Sequence, residues 1–135
     1  MRSTLAGDIT TSLVRRAIGI FFLIGLLSAH VFAQPVLTQQ EVEQRRIQYL
    51  IGAVADLKDA RFLRNGTEYD AQQAAEHLRS KLRNAGDRIK TAEDFIVYCA
   101  TQSSISGEKY RIKFAGGRMI DTATFLHEKL AAYPR

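Results

Sequence analysis

At 135 residues, with 46% hydrophobic and 24% charged side chains, the chain has room for one small domain. Its single cysteine, Cys99, excludes an intramolecular disulfide, so the fold must be held by its core alone. The net charge of +5 is too mild an excess to mark out a partner, and no internal repeat or low-complexity tract is present.

The first element stands outside the fold. Arg15 and Arg16 precede the apolar run Ala17–Ala29, and His30-Val31-Phe32-Ala33 follows it. A basic flank, a short greasy core and a small residue at its end make the layout of a secretory signal peptide. The run of 13 residues is too short to cross a hydrocarbon layer of roughly 30 Å as a helix. Val31-x-Ala33 fits a signal peptidase site, so cleavage is expected after Ala33, an uncleaved anchor being the alternative. Residues 34–135 are then a single small, mainly helical domain in the periplasm or outside the cell, with no stable membrane span. Without Arg2, Arg15, Arg16 and Asp8, the 19 basic and 14 acidic side chains become 16 and 13, a net charge of +3. In an exported protein that favours anionic glycans or lipid head groups over nucleic acid.

Thr38, with Glu41 three residues on, is the capping box of a first helix. Ile47, Leu50, Ile51, Val54 and Leu57 give it one apolar face, and its polar first half is expected to be solvated. Lys58–Gly66 breaks the pattern, with Asn65-Gly66 as a turn signal. Asp70 caps a second helix, whose stripe of Ala71, Ala74, Ala75, Leu78, Leu82 and Ala85 ends at Gly86. Thr91 opens a third, with Glu93 and Asp94 near its N-terminus and Ala92, Phe95, Ile96 and Cys99 on its buried face.

A serine-rich loop, Ser103–Gly107, follows. Tyr110, Ile112 and Phe114 then alternate with Arg111 and Lys113, which is strand periodicity with one wet face. Gly116-Gly117 reads as a two-residue hairpin turn returning through Arg118–Ile120. Asp121 or Thr122 caps a last helix with Phe125, Leu126, Leu130 and Tyr133 facing inward. The fold class is α+β, mainly α: three helices, a β-hairpin, then a C-terminal helix.

Few residues carry chemistry. His77 and Lys81 stand one helical turn apart, placed to bind an anion or move a proton, or simply to border the core. His127, beside Glu128, reads as a surface residue. Cys99 lies on an apolar stripe, late in its helix, and reads as a core residue rather than a nucleophile. The Ser103–Gly107 hydroxyls have no nucleophile elbow and no local base, and hydroxyls after a helix commonly bond to loop amides. Metal-ligand spacing is absent, and nothing calls for a cofactor. The basic residues between Arg79 and Lys90 do not share one helical face and read as solvated.

The stretch Phe62–Tyr69 (FLRNGTEY), then Ala74–Leu82 (AAEHLRSKL), resembles the start of the bacterial domain-of-unknown-function family 5329. Thr91–Ile96, Cys99-Ala100 and Ser103–Tyr110 (SSISGEKY) are similar to its second half. The resemblance runs from about Ile47 to Leu130; Gly116 departs from it, standing where the pattern has Asp before the turn glycine. It implies an exported bacterial protein and supplies no catalytic residues.

The expected function is an exported binding or interaction module for an anionic or polar ligand. Its site residues are Arg64, Asn65, Tyr69, His77, Lys81, Ser104 and Ser106. Its partner is an envelope ligand or protein. Two alternatives stand beside it: a cell-envelope hydrolase with Ser104 or Ser106 as nucleophile and His77 as base, and a structural accessory that docks through the polar first helix.

Overall fold

The structure, a computed structural model, describes residues 37–134; the signal-peptide segment and its cleavage point lie outside them. Helix α1, Gln39–Ala55, starts at the expected capping box, with the Glu41 amide donating to Thr38 Oγ1 and the Thr38 amide to Glu41 Oε2. Ile47, Leu50, Ile51 and Val54 are fully buried. The solvated first half needs correction, because Glu43 is buried. Its carboxylate accepts from the Ala92 amide at 2.8 Å and from Arg46 Nη1 at 2.7 Å, so it enters the core with partners.

The break after α1 also needs correction. Arg61–Arg64 is strand β1 and Thr67–Tyr69 is strand β2, joined by Asn65 and Gly66 at φ 50° and 73°. Two consecutive left-handed residues make the tight hairpin turn whose twist matches the flanking strands. β1 pairs on its other side with β3, Arg111–Lys113, which pairs with β4, Met119–Asp121. Among the described residues the strands form one antiparallel sheet, ordered β2-β1-β3-β4, rather than a single hairpin. Phe62 stands opposite Tyr69 and Ile112, and Ile112 opposite Ile120, which places these four on one sheet face. The other face is polar, with Lys113 Nζ 3.0 Å from Glu68 Oε1.

The β3–β4 turn differs as well. The Phe114 amide donates to the Arg118 carbonyl and the Gly117 amide to the Phe114 carbonyl, so the loop has three residues, Ala115–Gly117. Of its two glycines only Gly117, at φ 81°, is left-handed. A turn followed by one left-handed residue is the usual three-residue solution.

Helix α2, Ala71–Ala85, is capped reciprocally by Asp70 and Gln73 and ends at Gly86, φ 53°. Its alanines let it lie close on α1 and β1. Helix α3, Ala92–Phe95, opens with the Thr91/Asp94 box and widens into a π turn over Ile96–Ala100. Thr101 Oγ1 donates to the Ile96 carbonyl at 2.8 Å, five residues back, which holds the wide turn. Phe95, Ile96, Cys99 and Ala100 are buried there, while Val97 and Tyr98 face out. Cys99 is free and fully enclosed, and burial pushes its thiol pKa up.

Helix α4, Thr122–Ala131, packs on β4 and on the π turn. Asp121 supplies its cap conformation without a side-chain cap bond, because Asp121 Oδ2 accepts from Lys109 Nζ at 3.1 Å. Among the described residues no helix is long and apolar enough to cross a membrane.

Candidate functional site

The β1–β2 hairpin and α2 enclose a cleft of about 480 Å³, whose lining includes Phe62, Arg64, Tyr69, Ala74, His77 and Tyr110. Backbone geometry puts these groups together. Arg64 is two residues beyond Phe62 in β1, so it shares the sheet face turned toward α2. His77 comes from the second turn of α2, and Tyr110 immediately precedes β3.

Arg64 Nη1 lies 2.7 Å from His77 Nδ1 and 3.0 Å from Nε2, and the Arg64 guanidinium sits 5.2 Å over the Tyr69 ring. His77 Nε2 is 3.2 Å from the Tyr110 hydroxyl. A guanidinium can only donate, so the nitrogen that it meets must accept; the shorter contact assigns that role to Nδ1 and leaves Nε2–H for Tyr110. That assignment requires a neutral imidazole. Burial, then the charges of Arg64 and Lys81, hold the His77 pKa below its ordinary 6.5. Burial raises Tyr110, with Arg64 and a hydrogen bond from Ser103 opposing.

The cleft wall carries an arginine without a carboxylate. Among the described residues Arg46 pairs with Glu43, and Arg79 and Arg83 pair with Glu76. Arg64, half-buried in the cleft wall, has no carboxylate partner among them.

The seven expected residues fall into three adjoining groups. Arg64, Tyr69 and His77 line the cleft. Asn65 and Ser106 meet beside it, Ser106 Oγ donating to Asn65 Oδ1 at 2.6 Å, which ties the hairpin tip to the serine loop. Lys81 reaches past the Tyr110 ring, 5.1 Å from its centre, and donates to the Gln102 carbonyl at 2.9 Å. With Ser104, Arg88 and Tyr98 it borders a second depression, toward the C-terminal end of α2. Burial lowers the Lys81 pKa.

The serine loop is held by its own hydroxyls. Ser103 Oγ accepts from the Ile105 and Ser106 amides, and Ser106 Oγ accepts from the Glu108 amide. The hydrogen-bond partners of His77 are Arg64 and Tyr110, and neither Ser104 nor Ser106 is among them. His127 lies on the surface, 2.9 Å from Glu93. Among the described residues no group of three His, Cys, Asp or Glu side chains could hold a metal ion.

Sequence reasoning missed Tyr110 and Thr122. Tyr110 was expected only as a core aromatic, yet a tyrosine where phenylalanine would fill the same space signals a hydroxyl in use. Thr122 is buried at the cleft wall, and its hydroxyl has no partner.

A mainly helical α+β domain with an open cationic cleft is thus the class that fold and site define. Residues 41–134 match the model of a family described as "Family of unknown function (DUF5329)", and the chain belongs to that family. It is similar to the uncharacterized protein YfeK of Salmonella typhimurium strain LT2, 46% identical over 68 residues. That match covers 50% of this chain and 57% of the relative, so the chain spans little more than half of YfeK. No solved structure matches.

Proposed function

We propose that the chain is an exported envelope domain that holds a small anionic or polar ligand in the Arg64–His77 cleft. The observation that carries this reading is Arg64, a half-buried guanidinium on a concave wall with no carboxylate opposite it. Pockets of this size, mostly apolar with a few convergent polar groups and a perturbed histidine, are where ligands are held. Ser106 Oγ is engaged by Asn65 and the Glu108 amide, and neither Ser104 nor Ser106 bonds to His77, which lends the hydrolase alternative no support. Export rests on the Arg15–Ala33 segment.

Two measurements test the reading. N-terminal sequencing of the protein recovered from the periplasm is expected to begin at Gln34; a chain retaining Met1 in the cytoplasm would overturn export. Native mass spectrometry of the purified protein is expected to show a small adduct that Arg64→Ala loses. An adduct of unchanged abundance in that variant would place binding elsewhere.

A further inference from the structure

We infer that the cleft selects a small monocarboxylate carried on an apolar, ring-sized body. The inference rests on the binding reading above and specifies what that site takes.

Charge decides the sign of the ligand. Glu76, on the cleft wall, is answered by Arg79 and Arg83 at 3.5 Å and 3.2 Å. Lys81 is spent on the Gln102 carbonyl behind the Tyr110 ring. His77 accepts from Arg64 and is neutral. The cleft wall, with Arg64 and Arg83 set against Glu76 alone, is therefore net positive, and Arg64 is the cation there without a carboxylate, which suits an anion.

Shape decides between carboxylate and phosphate. Among the described residues Arg64 uses only Nη1, toward His77; Nε and Nη2 have no acceptor. That remaining edge of the guanidinium is a planar two-donor fork, the geometry that a carboxylate meets with both oxygens. A phosphate dianion would want a second free cation or a row of free helix amides, and Arg83, the other arginine of the wall, is engaged by Glu76. The N-terminus of α2, which lies at the cleft through Gln73 and Ala74, is already closed by the carboxylate of Asp70.

The rest of the wall suits an apolar body. Phe62, Tyr69, Ala74 and Leu78 offer hydrocarbon, and the cleft has the volume for a substituted ring. A fully hydrophilic anion would leave that surface uncovered.

The test is a titration of the isotope-labelled full-length protein, followed by NMR at the Arg64 Nε–H, the Ala74 methyl and the His77 amide. Three probes share one body: phenylacetate, uncharged 2-phenylethanol and phenyl phosphate. Phenylacetate is expected to shift all three signals saturably, and the other two to bind at least about tenfold more weakly, the worth of one charge-assisted fork. Arg64→Lys keeps the charge but removes the fork and is expected to weaken phenylacetate about tenfold. Ala74→Phe fills the apolar wall without touching a charge and is expected to weaken it as well. Tighter binding of phenyl phosphate overturns the carboxylate class while leaving the cleft a site. Equal binding of 2-phenylethanol overturns the role of the anion. If none of the three probes moves these signals, the binding reading itself falls with the inference.

Discussion

Glu43 and Arg64 both carry charge against the hydrophobic core, and they are treated in opposite ways. Glu43 is closed on every side: Arg46 neutralises it, the Ala92 amide donates to it, and Gln39 Nε2 approaches at 3.2 Å. Its charge also sits at the positive end of α3, where the helix dipole favours it. Arg64 is held in place by Tyr69 and His77 but not neutralised by either. A buried charge with complete partners belongs to the architecture. One that is positioned yet left electrically open is where the proposed ligand would complete the set.

That contrast can be broken by mutation, beginning with the larger effect. Glu43→Ala orphans the Ala92 amide and unpairs Arg46, and it is expected to cost about 3 kcal/mol in urea denaturation. A loss under about 1 kcal/mol would mean that the closed cluster is no more structural than the open one. Arg64→Ala removes a charge without a carboxylate partner, so stability is expected to stay within about 1 kcal/mol of the parent by the same measurement. A drop as large as that of Glu43→Ala would make Arg64 architectural.

The smallest effect is in pH. His77 has a folded pKa below 6.5, with Arg64 from β1, Lys81 from α2 and Tyr110 beside β3 facing it. The unfolded chain therefore takes up this proton first as pH falls below about 6.5, and stability falls with it until the folded pKa is passed. Urea midpoints measured across that window are expected to fall toward acid in the parent and to flatten in His77→Gln. An unchanged slope in the variant would mean that the imidazole is not held neutral by its burial beside Arg64 and Lys81.

The helices were legible because their signals are local. Thr38/Glu41, Asp70, Thr91 and Gly86 each act within four residues, and the structure uses all of them as caps. The β1–β2 hairpin was hidden despite its Asn-Gly turn. Its strands have four and three residues, and Phe62-Leu63 puts two apolar side chains in succession, so no alternation shows. Glu43 looked solvated because its partner Ala92 is 49 residues away. The candidate residues could be named, but not joined. Residue type drew attention to His77 and the family resemblance to Arg64, whereas the Arg64–His77 contact and the use of the Tyr110 hydroxyl exist only once the sheet has closed.

That closure sets an order of events in folding. Three capping boxes let the helices begin independently, from contacts a few residues apart. Phe62 meets Ile112 only across a span of 50 residues, and the cleft has no Tyr110 wall before that pairing forms. Long-range strand pairing is the slow step in small mixed domains, because the loop must be closed before any contact rewards it. The cleft is therefore a late product of folding, and a half-assembled chain, with its caps in place and its helices formed, does not yet have it.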